Sequence, residues 1–366
     1  MSCFESLATP LKKVRHQLLY LIYGDQAVYR REAKFSILTV LSKAQGGKIP
    51  AIRILTDRPQ DYAGWPVDTV LLDEATLTRW QGVHGYHHRR KACAIAAGMQ
   101  LAEKTLFVDT DTLFTSHPNR LFELIEPNRS VMDRFEYEWK DVHERRNYRK
   151  LARDLSAHGV TPEHGFKLFN SGLCGITEDD AALFEESIGL IDEWTADGFE
   201  IHTIEQIALS YAMRNRQVAE ARKHVYHYFA EKRFFHAMQT YFFSRHGEAF
   251  SQRLVDLCTN VPRVKPYPSA WQRLKIKWKL RNQSGAMRKV GRDLLYGSAA
   301  PEGPYYGACR HEWWECASRE ILRWDESQQK KLLSQNRWPK QLPRPDKPED
   351  EKIIMSYLRK RVLTSR

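Results

Sequence analysis

Residues 104–114 read KTLFVDTDTLF. The apolar run 105–108 predicts a buried strand that opens directly onto Asp109 and Asp111, two carboxylates one residue apart on the turn leaving it. Carboxylate oxygens at that spacing can address one hard divalent cation, Mg²⁺ or Mn²⁺, which keeps coordination sites open for phosphate. An Asp-x-Asp triplet is also a common turn sequence. The strand in front of it carries the weight, because the end of a buried strand is an unusual place for idle carboxylates.

Outward from this stretch, strands alternate with helices. Apolar runs at 17–23, 51–56 and 67–72 predict strands, and 28–44 and 86–102 predict helices between them. That alternation predicts an α/β fold, a mixed, mostly parallel sheet flanked by helices, with ligands bound beyond the carboxyl ends of the strands. Three strands end in polar or acidic residues, at Gly24-Asp25, Asp57 and Asp109. Further on, 135–158 reads as a polar helical excursion. An apolar strand at 166–176 is interrupted by Asn170-Ser171-Gly172, helices follow at 179–197 and 203–214, and a short aromatic strand at 225–229 contains His227 and is preceded by His224.

The 366 residues carry a net charge of +12 at 42% hydrophobic content, enough apolar surface for a folded core. The charge is local: 261–300 holds ten basic side chains against Asp293 alone, and six of the ten Trp lie at or after Trp271. The expected organisation is an α/β domain over 1–260 and a basic, Trp-rich, mainly helical region over 261–366. No uncharged apolar run approaches the length of a membrane-spanning helix. Six scattered cysteines with no CxxC pair lead to the expectation of reduced thiols in a cytoplasmic protein.

Spacing excludes one competing chemistry. Phosphatases of the haloacid-dehalogenase type also use Asp-x-Asp after an apolar strand, but with a Thr where this chain has Leu113, and near the start of the chain. The pattern instead resembles the glycosyltransferases of the GT-A fold, the nucleotide-diphospho-sugar transferases, in the style of the retaining glycogenin and galactosyltransferase-like group. Over residues 17–235 the pieces recur in order. Tyr23-Gly24-Asp25 with Tyr29, and Thr56-Asp57, resemble the segments that receive the nucleotide. Arg89, Arg90 and Lys91 stand where the family often has a basic residue for the diphosphate. Asp109-x-Asp111 matches the metal motif, Phe169-Asn170-Ser171-Gly172 the FNSG strand, and Glu205-Gln206 the Asp-Gln pair. The resemblance implies Asp109, Asp111 and His227, with His224 as fallback, as metal ligands. It further implies Asn170, Ser171 and Gly172 along the donor sugar, and Glu205 and Gln206 near the reacting carbon. Two departures stand out: Glu205 replaces Asp, and His227 lacks the Gly and Lys-Pro-Trp that usually follow.

The resemblance implies a metal-dependent enzyme taking a nucleotide-diphosphate sugar, UDP-linked, and a glycan or glycolipid acceptor, with retention. In the basic segment, Trp271, Leu274 and Trp278 recur at i, i+3, i+7 among Lys and Arg, a pattern suited either to an anionic membrane interface through 269–292 or to packing on the protein. Two alternatives stand beside this reading: a catalytically inactive GT-A-like scaffold, and a basic nucleic-acid-binding protein. The second is disfavoured because the charge is confined to one segment and no binding motif accompanies it.

Overall fold

A computed structural model describes residues 11–157, 160–161, 165–198, 201–334 and 338–363. The chain divides into two compact units. One runs to Phe229 and takes in Glu248–Cys258; the other comprises Ala230–Gly247 and Thr259–Arg366.

The first unit is a seven-stranded sheet in the order β3-β2-β1-β4-β7-β6-β8. The strands are β1 (Val14–Ile22), β2 (Ala51–Thr56), β3 (Asp68–Leu71), β4 (Ala102–Val108), β6 (Arg129–Glu138), β7 (Lys167–Thr177) and β8 (Gln217–Glu220), while β5 (Thr112–Phe114) and β9 (Val225–His227) form a separate ribbon. β1 to β4 are parallel and β6 is parallel to β8, but β7 runs antiparallel to both β4 and β6. The α/β sandwich expected from alternation is present, with helices Ala27–Lys43, Arg89–Met99 and Ala181–Ala196 covering the sheet. The Ala-rich helix Arg89–Met99 approaches the sheet closely: a Cβ on Gly98 would meet Leu19 Cδ2 at 2.3 Å.

Three expectations change. The stretch 135–158 is not one helical excursion. Its first residues complete β6, and short helices Trp139–Val142 and Arg149–Ala157 follow. The alternation Phe135-Glu136-Tyr137-Glu138 is the period-2 signal of that strand. Asn170-Ser171-Gly172 do not interrupt β7, which runs through them. Four cysteines, Cys174, Cys258, Cys309 and Cys316, are free, whereas Cys93 is disulfide-bonded. The expectation of wholly reduced thiols therefore fails at Cys93. Cys3 lies outside the described residues.

The second unit is helical, with Lys232–His246, Ala270–Lys279, Gly285–Ser298, Pro304–Ile321, Glu326–Leu333 and Glu349–Leu363 as its main elements. The helix Lys232–His246, which a single cut after residue 260 would leave in the first unit, belongs here. Phe234 meets Trp313 edge-on at 4.8 Å, and the Phe234 carbonyl accepts from Cys309 Sγ at 3.3 Å. The Lys265 ammonium lies over both the Phe234 and Trp313 rings, 4.3 and 4.2 Å from their centroids. Glu315 on the long helix accepts both Nε and Nη2 of Arg361, at 2.8 and 2.7 Å, and the Tyr357 hydroxyl at 2.9 Å, fastening the last helix. Helix Ala270–Lys279 buries Ile276 against Leu280 and Leu295. Its opposite face leaves Trp271, Leu274 and Trp278 exposed at 73%, 58% and 64%. Among the described residues no helix is long and apolar enough to cross a membrane.

Candidate functional site: a metal centre at the end of β4

Because β7 is antiparallel, its middle meets the end of β4 rather than its start. Val108 pairs with Leu173, and the next amide, Asp109 N, donates to the Gly172 carbonyl at 2.8 Å. The chain then turns, Thr112 Oγ1 closing onto the Asp109 carbonyl at 2.8 Å, and enters β5. β5 pairs with β9 so that Thr112 stands opposite His227, and Tyr228 N donates to the Asp111 carbonyl at 3.0 Å. The acidic pair is thus pinned on one side to β7 and on the other to the strand carrying the histidine.

The result is a convergent trio: one ligand atom each from Asp109, Asp111 and His227, all within 4.8 Å of one another. Asp111 and His227 are buried, with His227 Nε2 3.2 Å from Asp111 Oδ2. His224, the fallback, is elsewhere; its Nδ1 lies 2.8 Å from Ser116 Oγ. The other ring nitrogen of His227, Nδ1, lies 2.9 Å from Asp133 Oδ2 on β6. Asp133 is fully buried and was not among the sequence-predicted residues. A carboxylate behind a ligating imidazole fixes its tautomer and leaves Nε2 facing the metal position. Burial works against the His227 charge, but the bonds to Asp111 and Asp133 outweigh it and push its pKa up to about 9. Gly172 makes room for the ring: a Cβ there would meet His227 Cε1 at 2.1 Å and Nδ1 at 2.3 Å.

Of the three consecutive basic residues, Lys91 reaches the acids. Its ammonium donates to Asp109 Oδ2 at 3.1 Å and Ser171 Oγ at 3.2 Å, and lies 4.0 Å from Glu205 Oε1. Burial disfavours its charge, yet Asp109 and Glu205 more than compensate and hold the amine above its ordinary range. Arg89 is taken up by Asp192, at 2.5 and 2.8 Å, and by the Arg79 and Trp80 carbonyls; Arg90 stacks over Tyr23, 4.6 Å from its ring. The expectation that Arg89 faces the diphosphate is therefore replaced by a structural role, since its donors are already spent inside the helix layer.

Glu205 opens the helix Ile204–Ala212 and is buried; its Oε2 accepts from Ser171 Oγ at 3.1 Å. Burial raises its carboxyl pKa, Lys91 opposing. Gln206 and Asn170 share a partner in Glu136, which the sequence reading also missed. Asp133 and Glu136 both sit where the β6–β7 ladder slips register, a backbone event with no sequence spacing to betray it. One signal was present, a carboxylate inside the apolar run Ser130-Val131-Met132-Asp133. At the neighbouring strand ends, Gly24 N donates to Asp57 Oδ2 at 2.9 Å with Gly24 at φ +87°, and Thr56 Oγ1 accepts from Arg58 N at 3.1 Å. Asp25 and Tyr29 are exposed. These residues share the carboxyl ends of β1 and β2, and β4 lies on the other side of β1.

No known protein family matches the sequence, and no curated protein matches it either. Solved structures similar to this chain include the WbbM bifunctional glycosyltransferase without ligand (12% identity, TM-score 0.38, 58% of this chain and 39% of that one). Mouse xyloside xylosyltransferase 1, also without ligand, is similar at 15% identity and TM-score 0.38 over 55% and 82% of the two chains. The galactosyltransferase LgtC, in complex with donor and acceptor sugar analogues, is similar at 12% identity and TM-score 0.41 over 70% and 98%. This chain spans about two fifths of the length of WbbM.

Proposed function

We propose that this chain is a metal-dependent glycosyltransferase that moves a sugar from a UDP-linked donor to a cell-surface glycan or glycolipid, with retention of anomeric configuration. The observation that carries this reading is the Asp109–Asp111–His227 trio, set at a strand end within reach of a buried lysine and the polar Asn170, Ser171, Glu205 and Gln206. The donor set fits a cation: two carboxylates and one imidazole nitrogen, with His227 already oriented by Asp133. The mixed oxygen and nitrogen set favours Mn²⁺ over Mg²⁺. When bound, the cation neutralises charge developing on the departing diphosphate.

The chain's own residues supply the rest. Lys91 holds a fixed positive charge beside Asp109, facing the same diphosphate. Asp57 Oδ1 is buried with no hydrogen-bond partner among the described residues, an acceptor suited to the ring N–H of a pyrimidine base. Tyr23, Gly24, Asp25, Tyr29 and Thr56 form the rim around it. Ser171 and Gly172 line the donor sugar. Glu205 Oε1, likewise buried and without a hydrogen-bond partner, offers an acceptor to a sugar hydroxyl. Retention rests on the resemblance of the FNSG and Glu-Gln features to the retaining branch.

The reading extends to location. Trp271, Leu274 and Trp278 face solvent and Lys and Arg fill the spaces between, so the helix Ala270–Lys279 suits the surface of an anionic bilayer, on its cytoplasmic face. The direct test is a thermal-shift and donor-hydrolysis screen across nucleotide sugars with and without Mn²⁺. One nucleotide sugar stabilising the protein only with metal is the expected result. No stabilisation by any donor, or unchanged turnover in Asp111→Ala, overturns the proposal; metal-dependent binding without hydrolysis or transfer supports an inactive scaffold instead.

A further inference from the structure

The second slip in the β6–β7 ladder falls between Phe135, opposite Phe169, and Tyr137, opposite Leu168. Glu136 is the residue left over, with nothing across from it on β7. A bulge of this kind re-aims a side chain, and bulges concentrate beside active sites. The Glu136 carboxylate is turned onto two amides at once. Oε1 accepts Asn170 Nδ2 at 2.9 Å, and Oε2 accepts Gln206 Nε2 at 2.8 Å.

A terminal amide can rotate by half a turn with little steric consequence, so only its partners decide which way it points. A carboxylate only accepts, and therefore both NH₂ groups must face Glu136. Their oxygens are then committed to the main chain: Asn170 Oδ1 accepts from Gly172 N at 2.9 Å, and Gln206 Oε1 from Ser171 N at 3.4 Å. One side chain thus sets the orientation of two residues and steadies the stretch of β7 beside His227. Glu136 itself is half-buried, and a carboxylate has about four acceptor positions, of which two are used here.

We propose that Glu136 is the positioning residue of the donor-sugar subsite: it locks the Asn170 and Gln206 amides and presents its remaining acceptor positions to a sugar hydroxyl. This inference rests on the glycosyltransferase reading of the site. It differs from the metal chemistry in what it touches, because the nucleotide and cation lie with Asp57, Lys91 and the Asp109–Asp111–His227 trio.

Glu136→Gln is the informative variant. It is nearly isosteric, but one of its two terminal atoms becomes a donor, so at most one amide can remain paired. With Mn²⁺ present, isothermal titration of UDP and of UDP-glucose and UDP-galactose compares the diphosphate with the sugar. The expected result is UDP affinity within about twofold of wild type, and loss of about tenfold for the UDP-sugar that wild type prefers. In parallel, the side-chain amide proton resonances of Asn170 and Gln206 should shift in the variant while the thermal midpoint stays within a few degrees. Wild-type UDP-sugar affinity in E136Q, unmoved amide resonances, or equal losses for UDP and UDP-sugar each overturn the inference alone. A wild-type protein that binds no nucleotide sugar overturns it together with the glycosyltransferase reading.

Discussion

His227 is reached from two sides, by Asp111 at Nε2 and by Asp133 at Nδ1, and a third neighbour, Gly172, matters by having no side chain. Each makes a different prediction. Asp133→Asn leaves a group that can still accept from Nδ1 but removes the charge behind the imidazole, so Mn²⁺ affinity should fall about 10- to 100-fold with little change in thermal midpoint. Titration of Mn²⁺ into wild type and variant checks this, and equal affinities would remove Asp133 from the site. Gly172→Ala puts a methyl within 2.1 Å of the ring, which has to move because β7 cannot. That substitution should cost about 1–3 kcal/mol of stability and also weaken Mn²⁺ binding. A stable variant with normal metal affinity would mean that the ring has another place to go. Asp109, Asp111 and His227 were legible in the sequence as residue types at a strand end. Asp133 was not, because its meaning depends on a partner 94 residues later in the chain.

Among elements, β4 and β7 were the most legible, since their apolar runs end in or enclose the candidate site residues. β5, β6 and β8 were not read. Each is short or carries polar residues, and each is held as a strand by the ladder that a neighbour offers; among the described residues β5 pairs only with β9. The limits of the second unit were equally hidden, because helix Lys232–His246 finds Trp313 only in three dimensions. In that unit the Glu315 carboxylate is the clasp between the long helix and the last one. Burial pushes its pKa up, but Arg361, Tyr357 and Ser318 outweigh that and hold it below the usual 4.5. A carboxyl whose folded pKa is depressed stabilises the fold above its unfolded pKa and loses that contribution as pH falls through the folded value. Glu315→Gln should therefore destabilise the protein near pH 7 by about 1 kcal/mol, Arg361 being half-exposed and screened. The gap to wild type should close in strong acid, as pH falls through the depressed folded pKa and wild-type Glu315 takes up its own proton. Thermal melts of both proteins from pH 3 to pH 8 measure this, and a gap that persists in acid would mean the charge is irrelevant to the clasp.

At the scale of the whole molecule, the +12 belongs mostly to one helical segment, and that segment exposes two Trp and a Leu. The sequence left two fates open for this face, a bilayer or the protein's own core; Ile276 takes the core position and the Trp side stays in solvent. Replacing Trp271, Leu274 and Trp278 with Ala should leave the thermal midpoint and metal-dependent donor hydrolysis unchanged while abolishing co-sedimentation with phosphatidylglycerol vesicles. Wild-type binding should weaken as salt rises, each Lys or Arg contributing roughly 1 kcal/mol at low ionic strength. Equal sedimentation with neutral phosphatidylcholine vesicles would count against the charge. The β5–β9 ribbon has a consequence in time as well as in space. His227 follows Asp111 by 116 residues, so on a ribosome the acidic pair emerges first and waits roughly 6–23 s for the histidine. A nascent chain at that stage has two carboxylates and no imidazole beside them. The trio is complete only after β9 has been made and has paired with β5, so on the proposed reading metal capture would be one of the last events in the making of the first unit.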